Sequence, residues 1–190
     1  MNRVLILVLV SLCASTFRPV DAQVAGFGAK LGLTSAALGG ENSANTRRND
    51  YHVGVFLPVD IRNGIQTQIE LVYSRQGTKI ENDLRLRYNY ILLPLIGKVS
   101  VDGFYVEIGG QVGRLHAARL VGPETSVSVK DQLNSFEAGV VVGGGYFLDS
   151  KSVVFGGRYT HGLTNTLVDD PDDLRFTNRT FQVFIGYVFW

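Results

Sequence analysis

The sequence predicts an all-β fold, an eight-stranded antiparallel transmembrane β-barrel, and three observations predict it. Apolar and polar residues alternate with a period of two in eight separate stretches, the signature of strands rather than of helices. Tight turns built on Asn, Asp and Gly follow the second, fourth and sixth stretches, and longer polar segments follow the first, third, fifth and seventh. Short turns at one end, long loops at the other and an even strand count form the pattern of a barrel whose termini share one side of a membrane. One face of the stretches is apolar and often aromatic, whereas the other is polar and rich in glycine.

The stretches cover residues 24–33, 51–61, 65–76, 85–98, 104–115, 136–147, 153–161 and 180–190. Each is close to the roughly 9 to 11 residues that cross a bilayer as a tilted strand. The first two, "VAGFGAKLGL" and "YHVGVFLPVDI", flank a polar segment whose "TRRND" at 46–50 reads as a solvated loop. After the turn "RNG", the third stretch sets Ile65, Thr67, Ile69, Leu71 and Tyr73 against Gln66, Gln68, Glu70, Val72 and Ser74. The fourth, "RLRYNYILLPLIGK", alternates early and then becomes continuously apolar. Its Pro94 cannot donate to a ladder, and a bulge there would flip the phase of one half. After "SVDG", the fifth sets Phe104, Val106, Ile108, Gly110 and Val112 against Tyr105, Glu107, Gly109, Gln111 and Gly113. The sixth sets Phe136, Ala138, Val140, Val142 and Tyr146 against Glu137, Gly139, Val141, Gly143 and Gly145, and "LDSK" turns the chain into the seventh. In the last, "TFQVFIGYVFW", Phe181, Val183, Ile185, Tyr187 and Phe189 make an unbroken apolar face. It reads as a closing strand with aromatics at the membrane interface, where their amphipathic rings are favoured.

The faces decide between a soluble cup and a membrane barrel. A soluble barrel would have to enclose bulky apolar residues from all eight strands and show water a face of glycines with few long charged side chains. The same glycine-rich face suits a narrow lumen that holds little side-chain volume, so the apolar set is expected to face lipid. Residues 1–22 combine a cationic start at Arg3, an apolar stretch from Val4 to about Ala14 and a small residue, Ala22. They predict a cleaved signal peptide, too short in its apolar core to span a bilayer, and leave 23–190 as the barrel domain. The single cysteine, Cys13, lies in that leader, so the exported chain is expected to carry no disulfide. Removing Arg3, Arg18 and Asp21 brings the 18 basic and 17 acidic residues to 16 of each. Neutrality without a basic cluster argues against nucleic acid as a partner.

The segments "FGAKLGLTSAAL", "YNYILLPLIGKVS", "FYVEIGGQVGRL", "FEAGVVVGGGYFL", "GGRYTHGLTN" and "FQVFIGYVF" together resemble the PorT-like outer-membrane β-barrel domain family across essentially the whole exported chain. The resemblance implies the barrel fold and a bacterial outer-membrane location, with outer-membrane lipids as surroundings and export through the inner membrane by the signal peptide. It also implies a C-terminal assembly signal, Tyr187, Phe189 and Trp190, read by the β-barrel assembly machinery during biogenesis. Family members carry a glutamate shortly before the strand-four proline where this chain has Leu92, and Trp190 stands one residue beyond their usual terminal Phe.

The inward phase is expected to collect Lys30, Arg85, Arg87 and Arg158 with Glu70, Glu107 and Glu137 as a lumen charge network, since buried charges persist when paired and hydrogen-bonded. Asp169, Asp170, Asp172 and Asp173 offer oxygen ligands of the type calcium prefers but lack the glycine spacing of a calcium loop, and they read as a solvated loop tip. His52, His116 and His161 show no metal-ligand spacing, and "GGG" at 143–145 lacks the ending of a phosphate loop. No cofactor or metal is expected. The chain therefore reads as a non-enzymatic barrel with a closed, salt-bridged lumen, acting in membrane stabilisation or in surface interaction through its long loops. The alternatives are a membrane-embedded lipid-modifying enzyme around His161 and a soluble periplasmic ligand-binding barrel. Deleting residues 187–190 should remove the protein from the outer membrane while leaving export intact, measured by immunoblotting of cell fractions; normal membrane levels would contradict the closing-strand reading.

Overall fold

A computed structural model of the chain describes residues 23–39, 46–79, 85–122, 126–148, 152–166 and 177–189. Eight long strands form the wall: β1 (Phe27–Gly39), β2 (Thr46–Arg62), β3 (Ile65–Lys79), β4 (Arg85–Val101), β5 (Phe104–Val121), β6 (Phe136–Phe147), β7 (Val153–Gly162) and β8 (Thr177–Phe189). Each pairs antiparallel with the next in sequence. β8 returns to β1, from Phe189 opposite Phe27 to Thr177 opposite Gly39, and the sheet closes. Closure satisfies the edges that lipid cannot hydrogen-bond. A two-residue strand, Gln23–Val24, adds to β2, and Gly26, at φ 115°, turns the chain from it into β1.

The tight turns carry the geometry their residues dictate. Asp102 and Gly103 both take positive φ, 51° and 85°, as a two-residue hairpin between right-twisted strands requires. Gly64 supplies the positive φ after Asn63 in the β2–β3 turn.

Strands β1, β2, β3, β5 and β8 run further toward the long-loop end than expected, whereas β4 begins at Arg85 as expected and lengthens at its tight-turn end to Val101. Residues 34–39, 46–50, 77–79, 116–121 and 177–179 continue the ladders, and Ser126–Ser128 pairs with the end of β5. "TRRND" is thus the first part of β2 rather than a loop. A neighbouring strand that already offers backbone partners outweighs weak local β-propensity, because extension satisfies both ladders at once.

β4 corrects a second expectation. Its parity runs unbroken through Pro94, with Tyr88, Tyr90, Leu92, Pro94, Ile96 and Lys98 all buried inward. The β3–β4 register is the same on both sides of the proline, and only the pairs opposite Leu93 and Pro94 are missing. The irregularity sits across the ladder in β5, where Tyr90 opposes Leu115 and Asn89 opposes Ala117, leaving His116 as the extra residue of a bulge.

Outward faces are apolar: Leu71, Leu93, Leu95, Val106, Ile108, Val142, Val183 and Ile185 are all exposed. Along β4 this band runs from Ile91 to Val101, ten residue steps. At about 3.3 Å per residue and a tilt near 40° that is about 25 Å, the height of the lipid-facing band of an outer-membrane barrel. Inside, Phe56, Tyr105, Val154 and Val188 pack near the tight-turn end. Val72, Tyr88, Tyr90, Leu92, Leu115 and Ala118 pack toward the loop end, where Leu133 inserts after the 3-10 turn Lys130–Gln132. Leu71→Arg and Ile108→Arg should each cost about 2 to 4 kcal/mol of folding stability in lipid vesicles, and Asn89→Arg, on the same phase beyond the band, about 0 to 1. Urea titration of vesicle-folded protein checks this, and equal effects at the three positions would displace the band.

Candidate functional site

Between the two apolar layers lies a charged cluster centred on Arg158 of β7. Its Nη1 and Nη2 each donate at 2.9 Å to the two oxygens of Glu70 from β3. Its Nε donates to Glu107 Oε1 of β5 at 2.7 Å, and Nη2 also reaches Glu107 Oε2 at 3.1 Å. One guanidinium thus grips two carboxylates with all three nitrogens, a planar fork that lysine could not supply. Lys30 of β1 donates to Glu70 Oε2 at 2.5 Å. Lys98 of β4 lies 3.7 Å from Glu107 Oε2 and donates to Gln68 Oε1 at 2.8 Å. Gln68 Nε2 donates to Glu70 Oε1 at 2.6 Å, which closes a ring through Arg158, Glu70, Gln68, Lys98 and Glu107.

Glycine makes this approach possible. Gly143 of β6 pairs with Glu107 on one side and with Arg158 on the other. A Cβ there would stand 2.8 Å from Glu107 Oε1 and 2.5 Å from the Gly157 carbonyl, so the flanking side chains meet over a strand that contributes none. Aromatic faces complete the shell: Lys30 Nζ lies 4.8 Å from the Phe184 ring centroid and Lys98 Nζ 4.8 Å from that of Tyr105. Below Lys98 a cavity of about 470 Å³ opens at the tight-turn end, bounded by Phe56, Phe147, Val154 and Val188.

This closed, salt-bridged meander is matched by the outer membrane protein beta-barrel domain family over residues 17–168. The chain belongs to that family. It therefore lies in the bacterial outer membrane. No curated protein matches the chain in sequence. Among solved structures, Neisserial surface protein A superimposes with a TM-score of 0.61 at 10% identity, over 89% of this chain and 99% of that one. Ail, the attachment invasion locus protein of Yersinia pestis, gives 0.51 at 12% identity over 86% and 99%, and its complex with the heparin analogue sucrose octasulfate gives 0.51 at 13% identity over the same shares. Likeness at these identities is likeness of fold.

Within this outer-membrane barrel, four of the seven residues assigned from sequence to a lumen network come together: Lys30, Glu70, Glu107 and Arg158. Arg85 and Arg87 do not. They share the outward parity of Ile91 and Leu93, at the loop end of β4, because no bulge at Pro94 reverses that strand. Glu137 is buried in the lumen but meets no cation among the described residues. Its Oε1 accepts from Asn178 at 3.3 Å and Gln111 at 3.5 Å, and its Oε2 has no partner. Lys98 was missed, although carrying the Tyr88 and Tyr90 parity straight through Pro94 leads to it.

His52 is buried in the lumen, its Nδ1 2.9 Å from Thr34 Oγ1, while His116 is exposed at the bulge and His161 is half-buried on the outward phase of β7. Among the described residues no three His, Cys, Asp or Glu are grouped to hold a metal. Tyr187 and Phe189 face outward at the end of β8, their ring centroids 5.0 Å apart. Trp190, the leader 1–22 and the aspartates at 169–173 lie outside the described residues.

Breaking a buried pair strands its partner, so Glu70→Ala should lower stability by about 3 to 5 kcal/mol. The double variant Lys30→Ala/Glu70→Ala should cost less than the two single losses added, because the pair is in direct contact. Urea unfolding of detergent-folded protein measures both, and strict additivity would separate the two residues.

Proposed function

We propose that the protein is a non-enzymatic outer-membrane barrel with a closed lumen, acting in membrane stabilisation or surface interaction through its long-loop side. The observation that carries this reading is the ring of Arg158, Glu70, Gln68, Lys98 and Glu107 across the lumen. An eight-stranded barrel is only just wide enough for side chains to fill, and here the filling is charged, paired and backed by apolar layers on both sides. A solute would have to part ion pairs that are dry and mutually bonded. The cavity at the tight-turn end is lined on its ring side by Gln68 and Lys98.

Support for a non-enzymatic role comes from the chemistry of the candidates. Every charged group of the ring is engaged by an opposite charge, and among the described residues His161 makes no side-chain hydrogen bond to a serine or a carboxylate. Within the family, the strand-four segment around Pro94 favours a PorT-like member. The outward aromatics Tyr187 and Phe189 on the strand that closes the barrel, with Trp190 after them, suit a signal read by the β-barrel assembly machinery, following export by the leader at 1–22.

Purified protein in planar bilayers should give no sustained conductance at moderate voltage. Glu107→Ala should give intermittent leakage, since Arg158 and Lys98 would then recruit water. Stable conductance steps of one size from the unaltered protein would overturn the closed lumen in favour of a channel.

A further inference from the structure

Arg85 and Arg87, absent from the lumen, belong to a second constellation on the outer wall. Arg87 of β4 stands directly opposite Arg119 of β5, and both are on the outward phase. Like charges in directly opposed positions are unfavourable in a sheet. Arg85 lies two residues further along the same face, and Arg114 and His116 are exposed on β5 between Arg119 and the apolar band. The outward positions of this ladder above Leu93 and Val112 are Ile91, Asn89, Arg87 and Arg85 on one strand and Arg114, His116, Ala117, Arg119 and Val121 on the other, without one carboxylate.

The adjoining strands do not neutralise the patch. Arg75 follows on β3, and the carboxylate beside it, Asp50, already accepts from Arg48 Nη2 at 2.6 Å and lies 3.5 Å from Arg75 Nε. Among the described residues no acidic group pairs with Arg85, Arg87, Arg114 or Arg119. Among the described residues the Arg87 Nε has no acceptor. Two facing arginines without a carboxylate are unfavourable unless an anion from outside the chain bridges them.

Height identifies the anion. Arg114 stands opposite Ile91 at the top of the apolar band, and Arg87 is four residues above Ile91. At a tilt near 40° Arg87 is about 10 Å beyond the hydrocarbon edge, a distance an arginine side chain can shorten by reaching down along the wall. That is the headgroup layer of the leaflet facing the long loops. We infer that the β4–β5 ladder, through Arg87 and Arg119 with Arg85 and Arg114, binds the phosphate groups of a phosphorylated glycolipid in the outer leaflet. Two guanidinium forks on neighbouring strands grip phosphate oxygens bidentately, and the anion converts a repulsive rung into a bridged one. The inference rests on the outer-membrane reading proposed above and not on whether the lumen conducts.

The test uses the full-length barrel in nanodiscs of phosphatidylcholine containing lipid A with both phosphates, or lipid A with its phosphates removed. Co-purifying glycolipid is counted by native mass spectrometry, and thermal unfolding is followed in parallel. The unaltered protein should retain the phosphorylated form selectively. At roughly fivefold per arginine, Arg87→Gln/Arg119→Gln should weaken retention about 25-fold while its melting in phosphatidylcholine alone stays unchanged. Arg87→Lys/Arg119→Lys, which keeps the charge, should retain more than the glutamine pair and keeps the proposal testable if that pair folds poorly. Equal retention of the dephosphorylated lipid, or no loss in the glutamine variant, would overturn it. So would displacement of the lipid by a soluble sulfated glycan at lower concentration, which would assign the patch to a polysaccharide. A conductance result would bear on the closed lumen alone.

Discussion

Closure of the sheet is the constraint from which the rest of this structure follows. Lipid offers no partner to a backbone N–H or C=O, so β8 must return to β1 along its whole length, as it does from Phe27 to Gly39. Eight strands joined this way leave an interior of side-chain width. The outward phase must then be apolar, and the inward phase must be filled without overfilling. Inward glycines such as Gly143 are the consequence: they remove a side chain where two neighbours need to meet.

The ring around Arg158 shows how such a lumen tolerates charge. Burying one carboxylate or ammonium is costed at several kcal/mol, and pairing offsets this only with good geometry and further hydrogen bonds. Glu70 meets that condition, accepting from Lys30, Arg158 and Gln68. Glu137 meets it less well, with two long amide contacts and a free oxygen. With Lys30 bound to Glu70, five charges come from five different strands, so the ring and Lys30 together tie β1, β3, β4, β5 and β7 to one another across the lumen, beyond their ladders. Arg48 and Asp50 at the rim are bonded at 2.6 Å and are largely, though not fully, shielded.

Charge is therefore divided by environment. Inside, cations and carboxylates meet with short bonds and little water; on the outer face of β4 and β5 beyond the band, arginines stand opposite one another without a carboxylate. Like-charged rungs of this kind are tolerable only where solvent or an external anion screens them. The fold shared with Neisserial surface protein A and Ail does not determine this distribution, which belongs to the residues of this chain.

The sequence by itself determined the strand number, the antiparallel order, the side on which the tight turns lie and the outward face of β3, β5, β6 and β8. These are local properties: a period of two, Asn-Gly and Asp-Gly turns, and apolar sets such as Phe181 to Phe189 can be read without knowing any partner. Tertiary structure alone decided where the strands stop, because polar residues such as those at 46–50 become strand only when a neighbour offers its ladder. It also decided that His116 rather than Pro94 carries the bulge, and so that Arg85 and Arg87 face out while Lys98 faces in. A bulge belongs to a pair of strands and not to either one, and one residue of phase moves every later side chain to the other face of the wall.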